Sequence, residues 1–398
     1  MNKANILRLT VAFATLVTVM IASGQGRPGA VKAPQVPRAA PQVQYTVADR
    51  CNTRYTVIDL GTDGVGNQIT DSGRIVGSIN FGGPDRDAAF WPTPQSPPID
   101  LGTLPGFTGS RGFGVNPRGE IVGYALAAYP VLSARPLFWA STQSAPMELP
   151  GLPVGLLGVA SAISPRGQIV GVFFASDFSV SQPVVWPRSN AAPIYLAELS
   201  ETLRFGAAIS INAVGNILGD GLDEDFVESH AVFWANSASA PVALASPGGE
   251  FIYTDVALTG GSVAPALNNA GSMVGFAHNA DFSATRAVFW ASSSSPAVIL
   301  STTGEFTNGG AEGINDKRQI VGTAFNSDFS DAHAFLWASP TSQGIDLNTV
   351  IPPGSGWELI VARSINNRGE ISGAGLLNGE QHAVALIPVH GSSANALR

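Results

Sequence analysis

Gly313 to Trp337 reads G-I-N-D-K-R-Q-I-V-G-T-A-F-N-S-D-F-S-D-A-H-A-F-L-W and is followed at Ile345 by I-D-L-N-T. The rest of the chain repeats this pattern. The glycine of its V-G step recurs at Gly77, Gly123, Gly171, Gly219, Gly275, Gly322 and Gly373, giving intervals of 46, 48, 48, 56, 47 and 51 residues and seven copies. A fixed period of this length signals a repeat architecture. Before each glycine stands an apolar residue and a turn cluster, as in Ile69-Thr70-Asp71-Ser72-Gly73 or Ile365-Asn366-Asn367-Arg368-Gly369. Between two β-type runs such clusters form hairpin turns. After the glycine, six copies carry an apolar run ending in tryptophan, at Trp91, Trp139, Trp186, Trp234, Trp290 and Trp337, where the seventh has Leu386. A Ser/Thr/Pro-rich turn then leads to a fourth run, such as Ile99 to Thr103. Four short β-type segments per repeat match one blade of a β-propeller, and the runs are too short and too β-branched for helices.

Counting the fourth strands sharpens this reading. Copies one to six each supply one after the tryptophan, but after Leu386 the chain offers only His390-Gly391-Ser392-Ser393, which lacks strand character. Ahead of the first copy stands Tyr55-Thr56-Val57-Ile58-Asp59-Leu60-Gly61-Thr62, whose I-D-L-G-T repeats Ile99 to Thr103. The expected fold is therefore all-β: a seven-bladed β-propeller of four-stranded antiparallel blades, the last completed by the N-terminal strand. Closure of this kind removes exposed sheet edges.

The triplet His333-Ala334-Phe335 with Leu336-Trp337, preceded by Gly313-Ile314-Asn315-Asp316 and Ile320-Val321-Gly322, resembles the HAF family of bacterial extracellular repeat proteins over about residues 55 to 388. The resemblance implies a repeat protein that is secreted or exposed at the cell surface, with the periplasm as the other compartment. It carries no common activity. Asp87, Arg135, Gln182 and Arg286 stand where His230, His333 and His382 stand in other copies, so a role needing histidine in every blade is not expected. At that position a local hydrogen bond is expected rather than metal ligation.

Residues 1–24 read as a secretory signal: Lys3 and Arg8, an apolar core from Leu9 to Ala22, and small residues at Ala22-Ser23-Gly24. A retained anchor is the other reading; the core is shorter than the roughly 20 residues of a typical span, and no later segment could cross a bilayer. Residues 25–50 are a Pro-rich linker, residues 51–390 the propeller and residues 391–398 a C-terminal tail. The single cysteine, Cys51, has no disulfide partner within the chain. Charged residues are 13% of the chain, while 45 glycines and 28 prolines suit a turn-dense β protein. A net charge of −8 without any Lys/Arg cluster argues against a nucleic-acid partner.

Within an antiparallel blade of strands A to D, the A–B and C–D turns lie on one face of the ring. The B–C turns and the links to the next blade lie on the other. The link face varies more and carries Phe107, Phe205, Phe251, Tyr253, Phe306 and Trp357. Either these aromatics bind a glycan or peptide at the cell surface, or they plug the gaps between blades. A second recurrence, Asp177-Phe178, Asp225-Phe226, Asp281-Phe282 and Asp328-Phe329, falls in the B–C turns and reads as a turn former with a packing residue. Copy four crowds Asp220, Asp223, Asp225 and Glu228 into one loop. That loop is either a solvated acidic turn or a calcium site lacking EF-hand spacing. Phosphate-cradling glycine loops, nucleophile elbows and metal-ligand spacings are absent from the sequence. These features point to a binding module without catalytic residues or cofactor. The alternative is a propeller-type carbohydrate hydrolase or lyase using acidic residues near the central channel.

Overall fold

The computed structural model describes residues 53–127, 132–177, 179–200, 203, 205–223, 228–256 and 265–389. The signal segment, the Pro-rich linker, Cys51, Phe178, Asp225, Phe226 and the C-terminal tail lie outside them. The described strands form seven four-stranded antiparallel sheets. Blade 1 is β2 (Val65–Ile69), β3 (Ile75–Ile79), β4 (Asp87–Trp91) and β5 (Ile99–Asp100), after the opening strand β1 (Arg54–Thr62). Blade 2 is β6 (Gly109–Val115), β7 (Ile121–Ala127), β8 (Ser133–Trp139) and β9 (Met147–Glu148). Blade 3 is β10 (Leu157–Ile163), β11 (Ile169–Phe174), β12 (Ser181–Trp186) and β13 (Ile194–Tyr195). Blade 4 is β14 (Phe205–Ile211), β15 (Ile217–Leu222), β16 (Ser229–Trp234) and β17 (Pro241–Ala243). Blade 5 is β18 (Tyr253–Asp255), β19 (Met273–His278), β20 (Thr285–Trp290) and β21 (Val298–Ile299). Blade 6 is β22 (Asn308–Ile314), β23 (Ile320–Phe325), β24 (Ala332–Trp337) and β25 (Ile345–Asp346). Blade 7 is β26 (Trp357–Ile365), β27 (Ile371–Leu377), β28 (Glu380–Val389) and, outermost, β1. The first strands of blades 1 to 4 touch in succession, as do those of blades 6, 7 and 1, which makes them the inner ring.

The repeated V-G glycine has a steric cause. In six blades the innermost strand bulges by an extra residue, including Asn67, Phe113, Ser161, Ile209, Glu312 and Arg363, and the glycine of the second strand pairs with the residue just before that bulge. A Cβ there would overlap the carbonyl oxygen of Val65, Arg111, Val159, Ala207, Gly310 or Val361 across the ladder, and at Gly275 that of Asp255. A bulge bends and twists its strand. Glycine lets the second strand follow that bend.

The six tryptophans fasten blade to blade. Each is buried, and each Nε1–H donates to a carbonyl at the outer strand of the preceding blade or just after it. Trp139 bonds Leu101, Trp186 Pro150, Trp234 Ala197, Trp290 Ala245 and Trp337 Ser301, at 2.7–2.9 Å. Trp91 of blade 1 donates at 3.1 Å to the carbonyl of Leu60 in β1, the outer strand of blade 7. Leu60 is the unpaired residue of a bulge between β1 and β28, which frees its carbonyl for that bond. The N-terminal strand therefore closes blade 7 and carries the junction to blade 1. Blade 7 has Leu386 in the tryptophan position, and its junction with blade 6 is made differently. Tyr55 N–H donates to Val350 O at 2.9 Å, and Tyr55, Leu347, Val350, Ile351 and Leu386 share one apolar cluster.

The A–B turns are tied into a belt. The side-chain Nδ2 of Asn116, Asn212, Asn268, Asn315 and Asn366 donates to the backbone carbonyl of Ser164, Asn268, Asn315, Asn366 and Thr70, each in the next blade. Each Oδ1 meanwhile accepts from its own turn, as from Arg368 N and Glu370 N at Asn366. Outside this belt Asn269, Asp316, Asn367 and Asp71 are linked in sequence by further side-chain bonds. Among the described residues no helix is long and apolar enough to cross a membrane.

Candidate functional site

On the link face the six aromatics divide. Phe205, Phe251 and Phe306 are buried; Phe107, Tyr253 and Trp357 are half-buried. Phe205, Tyr253 and Trp357 are not link residues as the sequence suggested. They begin the innermost strands β14, β18 and β26, because pairing starts as soon as the chain reaches the next blade. In copy five, residues 256–266 separate β18 from an isolated bridge at Leu267 and Met273, and residues 257–264 among them lie outside the described residues. Phe306 lies against the ring of His333, with centroids 4.3 Å apart, and Trp357 meets His382 edge-on at 5.4 Å. Arg286 sits over Phe251, 4.8 Å from its centroid. Other apolar side chains open on this face are Phe81, Val154, Val180, Ile252 and Phe329.

The Asp-Phe repeat is a turn device. Asp177, Asp281 and Asp328 each accept from the backbone N–H and the Oγ of the serine two residues on. Those bonds favour the ionised carboxylates of Asp177 and Asp328 and lower their pKa values. The phenylalanine between, Phe282 or Phe329, takes φ 59°, and the Phe282 ring stacks on His278 at 3.7 Å.

The acidic residues of copy four that are described do not converge. Asp220 is turned into the seam with blade 5, accepts from Val256 N–H at 2.8 Å and has its pKa raised by burial and then by the charge of Asp255. Asp223 accepts from Glu228 N–H across the base of its loop, while Glu228 engages His230 Nε2 at 3.1 Å. Beside Asp220, Ser229 Oγ and His278 Nε2 both meet Asp255 Oδ2, at 2.8 and 3.1 Å. His278 Nδ1 donates to Asn279 O. Ser229 Oγ also lies 2.9 Å from His278 Nε2, so serine and carboxylate share one ring nitrogen, unlike a catalytic triad, in which they use opposite ones.

Two of the three histidines that recur at the start of the third strand have a cross-strand partner, while His230 bonds Glu228 beside it. His333 Nδ1 lies 2.7 Å from Asp346 Oδ2 and His382 Nδ1 3.0 Å from Asp59 Oδ1, each aspartate coming from the I-D-L of the outer strand. The bond to Asp346 raises the pKa of His333. In blade 2 the pair is Arg135 with Glu148. In blade 1 it is Asp87 with Asp100, and burial followed by that repulsion raises Asp87 to about 6. The pairing links two segments that the sequence displays as separate motifs, and the recurrence of I-D-L at Asp59, Asp100 and Asp346 was its available signal. Nearer the axis Glu312 is buried, bonded to Arg363 at 2.7 Å and Thr323 at 2.8 Å.

Protein-family models and curated proteins yield no match to this chain. Among solved structures it is similar to YCF48 bound to D1 peptide, with TM-score 0.50 and 11% identity over 90% of this chain and 99% of that one. It is also similar to YCF48 from Cyanidioschyzon merolae, with TM-score 0.49 and 9% identity over 84% of this chain and 98% of that one. The GH74 xyloglucanase from Xanthomonas campestris gives TM-score 0.46 and 10% identity over 74% of this chain and 47% of the enzyme. At such identities the likeness is one of fold, the β-propeller.

Proposed function

We propose that this chain is a secreted or surface-exposed repeat propeller of the HAF type that binds an extended peptide or a glycan on its link face. One observation carries the reading: the two faces of the ring differ in what they leave free. On the A–B face the side-chain amides are spent on joining neighbouring turns, and Val214 is the one large apolar residue exposed in those turns among the described residues. On the link face half-buried Phe107, Tyr253 and Trp357 stand with exposed Phe81, Val154, Val180, Ile252 and Phe329. Rigidly mounted aromatics give contact area at little entropic cost, which suits recognition of an extended chain. A peptide is the first class to test, since the propeller similar over most of this chain, YCF48, is bound to a peptide.

The test is a peptide and glycan array probed with the full chain, with Trp357→Ala and Tyr253→Ala as variants and Tyr195→Ser on the outer rim as comparison. Binding lost in the first two and kept in the third is expected, with melting curves confirming that each variant is folded. Binding that survives both link-face substitutions places the ligand elsewhere. Turnover of a bound glycan would favour the hydrolase or lyase alternative.

A further inference from the structure

The seam between blades 6 and 7 is the junction without a tryptophan bond, and among the described residues it holds a cluster that its counterparts lack. Asp331 and His333 of blade 6 and Glu358 of blade 7 each offer a donor atom within 4.8 Å of the other two. Among the described residues no other three His, Cys, Asp or Glu side chains meet in this way. We propose that this is a binding site for one divalent transition ion of the zinc class, bridging the two blades.

Three features argue for a metal over a solvated acidic patch. The imidazole is held in the orientation a ligand needs. Asp346 Oδ2 accepts a hydrogen bond from Nδ1–H at 2.7 Å, so the lone pair of the neutral ring is on Nε2, and Nε2 is the atom that lies 3.9 Å from Asp331 Oδ2. A carboxylate on the far nitrogen of a ligating histidine fixes both tautomer and direction. Phe306 packs on the ring and limits its rotation. Asp331 is also partly fixed: its Oδ1 accepts from Ala332 N–H at 2.8 Å, which leaves Oδ2 for the site. Glu358 is exposed and can move inward. Tetrahedral ligands about 2.1 Å from zinc are about 3.4 Å apart, so closing on an ion requires movement of about 1 Å.

The donor set favours this class of ion. Imidazole with two carboxylates suits zinc and its neighbours, whereas calcium collects six to eight oxygens. Three protein ligands would leave a fourth position open on the link face, where the oxygen of a ligand could enter. In blade 7 the equivalent His382 has its Asp59, but its ring meets Trp357 instead of a converging pair of carboxylates.

The test is calorimetric titration of the chelator-treated full chain with zinc sulfate, paralleled by melting curves. One equivalent is expected to bind saturably, and saturation at about 100 times Kd raises the melting temperature by about 4 °C. Glu358→Gln and Asp331→Asn should each weaken binding at least tenfold. Asp346→Asn, which removes no ligand, should weaken it about 10- to 100-fold. Cys51→Ser and Asp223→Asn should leave it unchanged. Variants that melt normally without zinc but no longer shift with it support the site. Absence of saturable binding, affinity unchanged in both carboxylate variants, loss of binding in Cys51→Ser, or calcium binding as tightly as zinc would each overturn it.

Discussion

Replacing Trp91 by phenylalanine tests how the ring closes. The substitution removes the donor that bonds the Leu60 carbonyl at 3.1 Å, and Leu60 has no ladder partner to take its place. Leaving a buried carbonyl unpaired costs about 1–3 kcal/mol. The smaller ring in a fully buried slot forfeits about 1–2 kcal/mol of packing, giving about 2–5 kcal/mol in all. A propeller of about 340 residues unfolds with about 0.7 kcal/mol/K of entropy, so the melting temperature should fall by about 3–7 °C. Trp186→Phe removes the matching bond between blades 2 and 3 and should cost a similar amount. The two variants differ in place. Hydrogen exchange read by mass spectrometry should quicken across residues 54–62 in Trp91→Phe and stay unchanged there in Trp186→Phe. If Trp91→Phe leaves both the melting temperature and exchange in β1 untouched, the N-terminal strand does not carry the junction as argued.

Gly171→Ala should destabilise by more than about 3 kcal/mol, read as a fall in the urea midpoint, because its Cβ would overlap Val159 O across the bulge. Gly102→Ala, where nothing lies within 4 Å and only φ +68° resists, should cost clearly less. Asp87 binds its proton more tightly folded than unfolded, so its contribution to stability is most favourable below about pH 4 and falls as pH rises to about 6. A shift of that size corresponds to about 3 kcal/mol, which partial exposure reduces to about 1–2 kcal/mol. Asp87→Asn should therefore stabilise the protein by about that amount at pH 7.5 and hardly at all at pH 4, as urea denaturation at both values would show. An equal gain at both pH values would remove the charge from the explanation. His333→Ala should abolish the zinc-dependent rise in melting temperature, as Glu358→Gln should, and Trp357→Ala should abolish binding on the link face. These two losses are separable by assay, since the first is read without any organic ligand.

The repeat count and the manner of closure were legible because both depend on local pattern. A glycine every 46 to 56 residues, a tryptophan ending the third strand in six of seven copies and an I-D-L-G-T both ahead of the first copy and at its end are visible in one dimension. The position of the aromatics was only half legible. Alternation places a side chain on one side of a sheet, but how soon pairing begins at Tyr253 or Trp357 depends on the neighbouring strand, and burial of Phe205, Phe251 and Phe306 depends on the next blade. The turn reading of the Asp-Phe repeat matches the structure because its bonds span two residues.

By itself the sequence determined a chain of seven like sheets whose first strand belongs to its last blade, since each blade is specified within about 50 residues by turns, a glycine and an apolar alternation. The tertiary structure alone decided which groups meet across the seams. Trp91 reaches Leu60 in a different blade, Asn366 reaches Thr70 across 296 residues, and Glu358 comes beside His333 from a neighbouring blade. Such encounters are set by the rotation from one blade to the next, and that rotation is fixed by packing between sheets rather than by the order of residues within any one of them.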